Sequence, residues 1–122
     1  MKILLVEDSP EVSLITVEYL EELGHLPVAV ADAELALQRV AVEQFDAVMT
    51  DVSLPGMSGI DLAKELVKRL PRLPVVIASG YGTLNVEALM GQKLANVLAL
   101  QKPYDMASLE NTLARAAALT TP

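Results

Sequence analysis

Short, unbroken apolar runs recur along this chain, separated by stretches in which apolar residues return only every third or fourth position. Each run ends at a polar or charged residue, and the two textures alternate from one end to the other. Ile3 to Val6 is continuously apolar, which predicts a strand covered on both faces. Ser9-Pro10-Glu11 then reads as a helix N-cap, a proline in the first helical position and an acid in the first turn. That helix is expected to reach Leu23 and stop at Gly24. Pro27 to Ala31 is the second strand, and Asp32 caps a helix running through Leu35, Leu37 and Val40. Ala47 to Thr50 is the third strand, ending at Asp51. Pro55, Gly56, Ser58 and Gly59 form a loop, after which Leu62, Leu66 and Leu70 recur on one face of a helix. Val75 to Ala78 is the fourth strand, ending at Ser79. Leu84 to Met90 predicts a helix that Gly82 and Gly91 keep short. Val97 to Leu100 is the fifth strand, running into Gln101-Lys102-Pro103, and Met106, Leu109 and Leu113 mark a last amphipathic helix.

Strand and helix alternating in this way imply a parallel sheet with helices on both faces and right-handed crossovers. No internal repeat, low-complexity segment or linker interrupts the order, so residues 1–122 read as a single domain with one core. The composition agrees with strands buried on both sides. The chain is 52% hydrophobic but only 3% aromatic, so Ala, Val, Leu and Ile fill the interior. No apolar stretch approaches the roughly 18 residues of a membrane span. The start turns acidic at Glu7-Asp8, too early for a signal peptide. These features give a cytoplasmic reading. The absence of cysteine excludes disulfides, thiol catalysis and thiolate metal sites. A net charge of −7 argues against direct binding to nucleic acid and favours a bound cation or a partner with a basic patch.

In an open parallel sheet, ligands bind outside the carboxyl ends of the strands where strand order reverses. Glu7 and Asp8 follow the first strand, Asp51 the third, Ser79 the fourth and Lys102 the fifth. These groups share one rim if the first and third strands are neighbours. Close carboxylates repel one another unless a cation neutralises them. Oxygen donors without nearby His or Cys favour Mg²⁺ over zinc. With a metal and an ammonium in place, a phosphoryl group has its charge stabilisers and a carboxylate can act as nucleophile.

The motifs "LLVEDSP", "MTDVSLPGMSGIDL", "PVVIASGYG" and "LQKPY" together resemble the receiver domain of two-component response regulators over essentially the whole chain. The resemblance implies a flavodoxin-like (βα)5 fold with strand order 2-1-3-4-5. By the same resemblance, Asp51 is the phosphoacceptor, taking its phosphoryl group from a phosphohistidine on a sensor histidine kinase or a histidine phosphotransfer domain. Asp8 corresponds to a direct Mg²⁺ ligand and Glu7 to one acting largely through water, with Asp51 and the Ser53 backbone carbonyl completing the set. Lys102 would pair with a phosphoryl oxygen, next to a Lys-Pro bond that is cis in the family. Ser79 corresponds to the hydroxyl residue that closes on the phosphoryl group, and movement of its loop is the switch.

Such a domain is not an enzyme on other substrates; it catalyses only its own phosphorylation and dephosphorylation. Ala99 departs from the family pattern, which usually has an aromatic there. The phrases "SGYG" and "LQKPY" are most similar to hybrid-kinase or stand-alone receivers, and both contexts stay open. The reading expects no output segment after the last helix, and output through protein contacts or phosphate relay.

Three other readings compete with this one. A receiver-like interaction module that is never phosphorylated is the alternative that Ala99 favours. A nucleotide or flavin binder lacks a glycine fingerprint and stacking aromatics. A haloacid-dehalogenase-like phosphatase lacks the second aspartate, since Asp51-Val52-Ser53 offers none. His25, the single histidine, reads as a turn residue. Tyr81 either flanks the phosphoryl site or covers its loop.

Overall fold

The computed structural model describes residues 1–80 and 83–120. Tyr81 and Gly82, on which part of the loop reading rested, lie outside the described residues. In chain order the elements are β1 (Lys2–Val6), α1 (Pro10–Glu22), β2 (Leu26–Val30), α2 (Ala33–Val42), β3 (Ala47–Asp51), α3 (Gly59–Arg69), β4 (Val75–Ser79), α4 (Thr83–Met90), β5 (Val97–Gln101) and α5 (Met106–Thr120). The strands make one parallel sheet in the order β2-β1-β3-β4-β5. This is the flavodoxin-like arrangement that the resemblance implied, with β1 and β3 adjacent.

The sheet is covered on both sides because side chains alternate along each strand. Leu4 and Val6 of β1 join a cluster with Ala33 and Ala36 of α2, Leu62 and Leu66 of α3 and Met90 of α4. Ile3 and Leu5 join the opposite cluster with Leu20 of α1 and Leu109, Leu113 and Ala116 of α5. Each fully buried Leu or Ile contributes about 1.5–3 kcal/mol by leaving water. β3 and β4 lie between strand neighbours and under both helical layers, and β4 is buried along its whole length. Among the described residues, no helix is long and apolar enough to cross a membrane.

Local signals act as their chemistry dictates. The Ser9 hydroxyl caps α1 by accepting from Val12 N, with Pro10 in the first turn, and the Asp32 carboxylate accepts from Leu35 N at 2.8 Å to cap α2. At the end of α1, His25 N donates to the Leu20 carbonyl and Gly24 N to that of Glu21, with Gly24 at φ 87°. This is a Schellman cap, which needs the left-handed conformation glycine adopts without strain.

Several boundaries differ from the sequence reading by a residue, and two of the differences have a clear local cause. β2 spans Leu26–Val30 and not Pro27 to Ala31. It is an edge strand pairing with β1 alone, so Pro27 costs no interior ladder bond and Leu26, 69% exposed, can begin it. Leu70 does not continue the α3 stripe: it caps the helix at φ −135°, 39% exposed. Pro71 follows it, and a residue before proline is pushed out of the helical region. The buried face of α3 is Ile60, Leu62, Ala63 and Leu66. In α2 the buried positions are Ala33 and Ala36, while Leu35 is exposed.

Candidate functional site

Sheet register builds the site. Val6 of β1 pairs with Thr50 of β3, so Glu7 and Asp51, one residue further on, leave the sheet side by side. Glu7 N still donates to Val30 O at 3.1 Å, which holds the end of β1 to β2. One carboxylate oxygen from each of Glu7, Asp8 and Asp51 lies within 4.8 Å of the other two. Glu7 is buried, Asp51 half-buried and Asp8 exposed, so the cluster grades from the protein interior to solvent.

Burial pushes the Glu7 carboxyl above its ordinary range, because the charged form loses water. A hydrogen bond with Asp8 and the Asp51 charge push the same way, while the Ser9 N–H, 3.3 Å from Glu7 Oε2, and the Lys102 charge oppose them. Oxygen donors at this spacing, with one carboxyl raised by burial beside other acids, suit a hard divalent cation. The cluster therefore fits a metal of the Mg²⁺ class.

The fourth and fifth strands supply the remaining groups. Lys102 Nζ lies 2.9 Å from Asp51 Oδ2. Lys102 N donates to the Ser79 carbonyl at 2.9 Å, fastening the end of β5 to the end of β4. The Lys102-Pro103 peptide bond is cis. Ser79 is 2% exposed at the last position of β4, and Asp51 pairs with its neighbour Ala78. Asp51, Ser53, Ser79, Asn85, Leu89 and Lys102 line one shallow cavity of about 480 Å³.

The end of β3 is tied down from below. Thr50 Oγ1 donates to the Asp51 carbonyl at 3.0 Å, and Gly59 N donates to the Val52 carbonyl at 2.9 Å. The Ser58 hydroxyl caps α3 by accepting from Asp61 N at 3.1 Å, which seats the first turn of α3 against Asp51.

The candidate residues named from sequence thus surround one rim: Glu7, Asp8 and Asp51 form the acid cluster, while Ser53, Ser79 and Lys102 share a cavity with Asp51. Two features escaped the sequence reading. Asn85, in the first turn of α4, joins the cavity, and no local pattern marked it. Tyr104 reaches Thr16 of α1, its hydroxyl 3.2 Å from Thr16 Oγ1, a contact across 88 positions. His25 is more than a turn residue: its Nδ1 lies 3.0 Å from the Met1 ammonium. Ala99 leaves a groove of about 210 Å³ between α4 and β5, bordered by Val86, Met90 and Val97.

Comparison with known proteins places this geometry in a family. A family profile described as the response regulator receiver domain matches residues 3–114. The chain is 40% identical over 116 residues to the response regulator protein FleR of Pseudomonas aeruginosa, covering 93% of this chain and 24% of FleR. It is 34% identical over 125 residues to the sensory/regulatory protein RpfC of Xanthomonas campestris pv. campestris, covering 98% of this chain and 17% of RpfC. It therefore spans less than a quarter of the length of either relative. Among solved structures, a putative response regulator from Chloroflexus aurantiacus J-10-fl superimposes with a TM-score of 0.86 at 26% identity, over 96% of this chain and 97% of that one. Strand order, rim geometry and the family match agree, and the chain belongs to the response regulator receiver domains.

Proposed function

We propose that residues 1–122 act as one phosphoacceptor domain in a cytoplasmic two-component phosphorelay, with Asp51 as the residue that takes the phosphoryl group. The donor is a phosphohistidine on a sensor histidine kinase or histidine phosphotransfer domain. An Asp51 carboxylate oxygen forms the new P–O bond as the P–N bond to the donor imidazole breaks, and the imidazole departs with the bonding pair. The observation that carries this reading is the Lys102 ammonium 2.9 Å from Asp51 Oδ2, on the carboxylate that also belongs to the three-acid cluster.

Each residue has a separate task. Lys102 orients Asp51 before transfer and then pairs with a phosphoryl oxygen, so positive charge stands where negative charge accumulates. Glu7, Asp8, Asp51 and the Ser53 backbone carbonyl are the proposed ligands of Mg²⁺, which when bound neutralises the acids and the incoming phosphoryl oxygens. The Ser79 hydroxyl donates to the phosphoryl group after transfer, and its loop carries the change to a protein partner. The chemistry is confined to the domain's own aspartate.

The test is to incubate the protein with Mg²⁺ and acetyl phosphate and measure intact mass. A gain of one phosphoryl group by the wild type, absent in Asp51→Asn, is the expected result. Equal, hydroxylamine-labile phosphate on the Asn variant would overturn the assignment. A second reading, an interaction module that is never phosphorylated, draws on Ala99 and the open groove beside it. It predicts no mass gain in any variant.

A further inference from the structure

A threonine buried inside a helix commonly returns its hydroxyl to the carbonyl four residues earlier. Thr112 of α5 does so, donating to Ser108 O at 2.9 Å. Thr16 of α1, 3% exposed, instead meets the hydroxyl of Tyr104 at 3.2 Å. Tyr104 stands two residues after Lys102, and its half-buried ring packs against the core cluster shared by α1 and α5. The segment from Lys102 to Asp105 is held at each end. Lys102 N is bonded to Ser79 O at 2.9 Å, and the Asp105 carboxylate accepts from Ser108 N at 2.8 Å at the start of α5. Neither anchor points toward α1. On that side lies an open groove of about 400 Å³ bordered by Val12, Ile15, Lys102 and Pro103. A loop beside an open groove has room to shift, and the two hydroxyls bridge it.

We infer that the Tyr104–Thr16 hydroxyl pair is a tether that holds the Lys102 loop against α1 and so places the Lys102 ammonium on Asp51. Tyr104 is then a positioning residue, and its effect on phosphoryl transfer rests on the phosphoacceptor reading above. Its hydroxyl touches no reacting atom. The tether adds precision at the ammonium, which is where a small displacement costs rate.

The experiment compares the wild type with Tyr104→Phe, which keeps the ring and its packing, and with Thr16→Val, the double variant and Thr16→Ser. Rates of phosphorylation are measured against acetyl phosphate and Mg²⁺ concentration. Loss of one hydrogen bond is expected to lower the maximal rate by about two- to ten-fold. Half-saturating Mg²⁺ should stay unchanged, since Glu7 and Asp8 are untouched. The double variant should lose no more than the worse single one, and Thr16→Ser should recover the wild-type rate. An undiminished maximal rate in Tyr104→Phe, or additive losses in the double variant, would overturn the proposal.

A second readout needs no phosphoryl group. Exchange of the Lys102 amide hydrogen should accelerate by about two- to ten-fold in Tyr104→Phe. The Val75 amide, bonded to Asn96 O far from the loop, should keep its wild-type rate. Unchanged exchange at Lys102 overturns the tether whatever the phosphorylation result. A wild type that takes no phosphoryl group while Lys102 exchange responds would sink the phosphoacceptor reading and leave the tether standing.

Discussion

A Cβ added to Gly59 would lie 1.8 Å from the carbonyl oxygen of Asp51. The first turn of α3 is pressed onto the end of β3 so closely that only glycine fits, and that contact fixes the backbone of the proposed phosphoacceptor. Gly59→Ala should therefore destabilise the domain by about 2–3 kcal/mol through backbone displacement. The better helix propensity of alanine, worth about 1 kcal/mol, does not offset this. Urea melts check the prediction, and a wild-type midpoint for the Ala variant would contradict it.

The three clustered acids should make the metal-free domain less stable than its neutralised variants. Asp8→Asn removes a repelling charge and, among the described residues, no ion pair, so it should stabilise by about 1 kcal/mol. Asp51→Asn also gives up the Lys102 pair at 2.9 Å, so its gain should be smaller. Mg²⁺ at ten times its dissociation constant should raise wild-type stability by about 1.4 kcal/mol. Thermal melts with and without Mg²⁺ read both effects, and a wild-type Tm that ignores Mg²⁺ would count against the metal site.

Two groups should give the metal-free protein opposing pH dependences. Burial lowers the His25 pKa, with the Met1 ammonium adding to the effect, so folding favours the neutral ring. The unfolded state then binds more protons, and His25's contribution is complete above its unfolded pKa of about 6.5 and is lost as pH falls through the lower folded value. Glu7 acts in the reverse sense. Its folded pKa is raised, so its contribution is present below the unfolded value of about 4.3 and is lost as pH rises through the folded one. His25→Gln should flatten the loss of stability on acidification below neutrality, and Glu7→Gln should flatten the loss on raising pH. Urea midpoints across pH 4 to 8 measure both slopes; a variant with the wild-type profile would refute its half.

Asn85 changes what is expected of the phosphorylated form. From sequence, Ser53 and Tyr81 offer no amide or carboxylate to orient an attacking water, which implies a long-lived phosphoryl group. Asn85 lines the same cavity as Asp51 and Ser79. Asn85→Ala should slow phosphate loss by about two- to ten-fold if its amide orients the water. Decay of the intact phosphorylated mass after donor removal is the measurement, and equal lifetimes would exclude the role.

The apolar runs and the polar residues ending them were enough to place β1, β3 and β4, because burial on both faces leaves a continuous apolar signal that needs no partner to be read, whereas the exposed edge strand β2 was read one residue late. Caps at Ser9 and Asp32 and the stop at Gly24 were legible for the same reason: each is a contact between neighbours in the chain. The four motifs carried the family and the acid, hydroxyl and ammonium positions. Other features arose only when distant segments met. Adjacency of β1 and β3 turns Glu7 and Asp51 into neighbours, and it depends on strand order, which alternation of elements does not specify. Gly59 looked like a loop residue until α3 was seated on Asp51. Leu70 fitted the helical stripe, yet the following proline removed it from the helix. Asn85 lines the cavity only because α4 packs beside β3 and β4 there, and Thr16 found Tyr104 across 88 positions. Short-range hydrogen bonding and solvent exclusion write themselves into sequence pattern; a contact between two loops or two helices depends on where the whole chain has already packed.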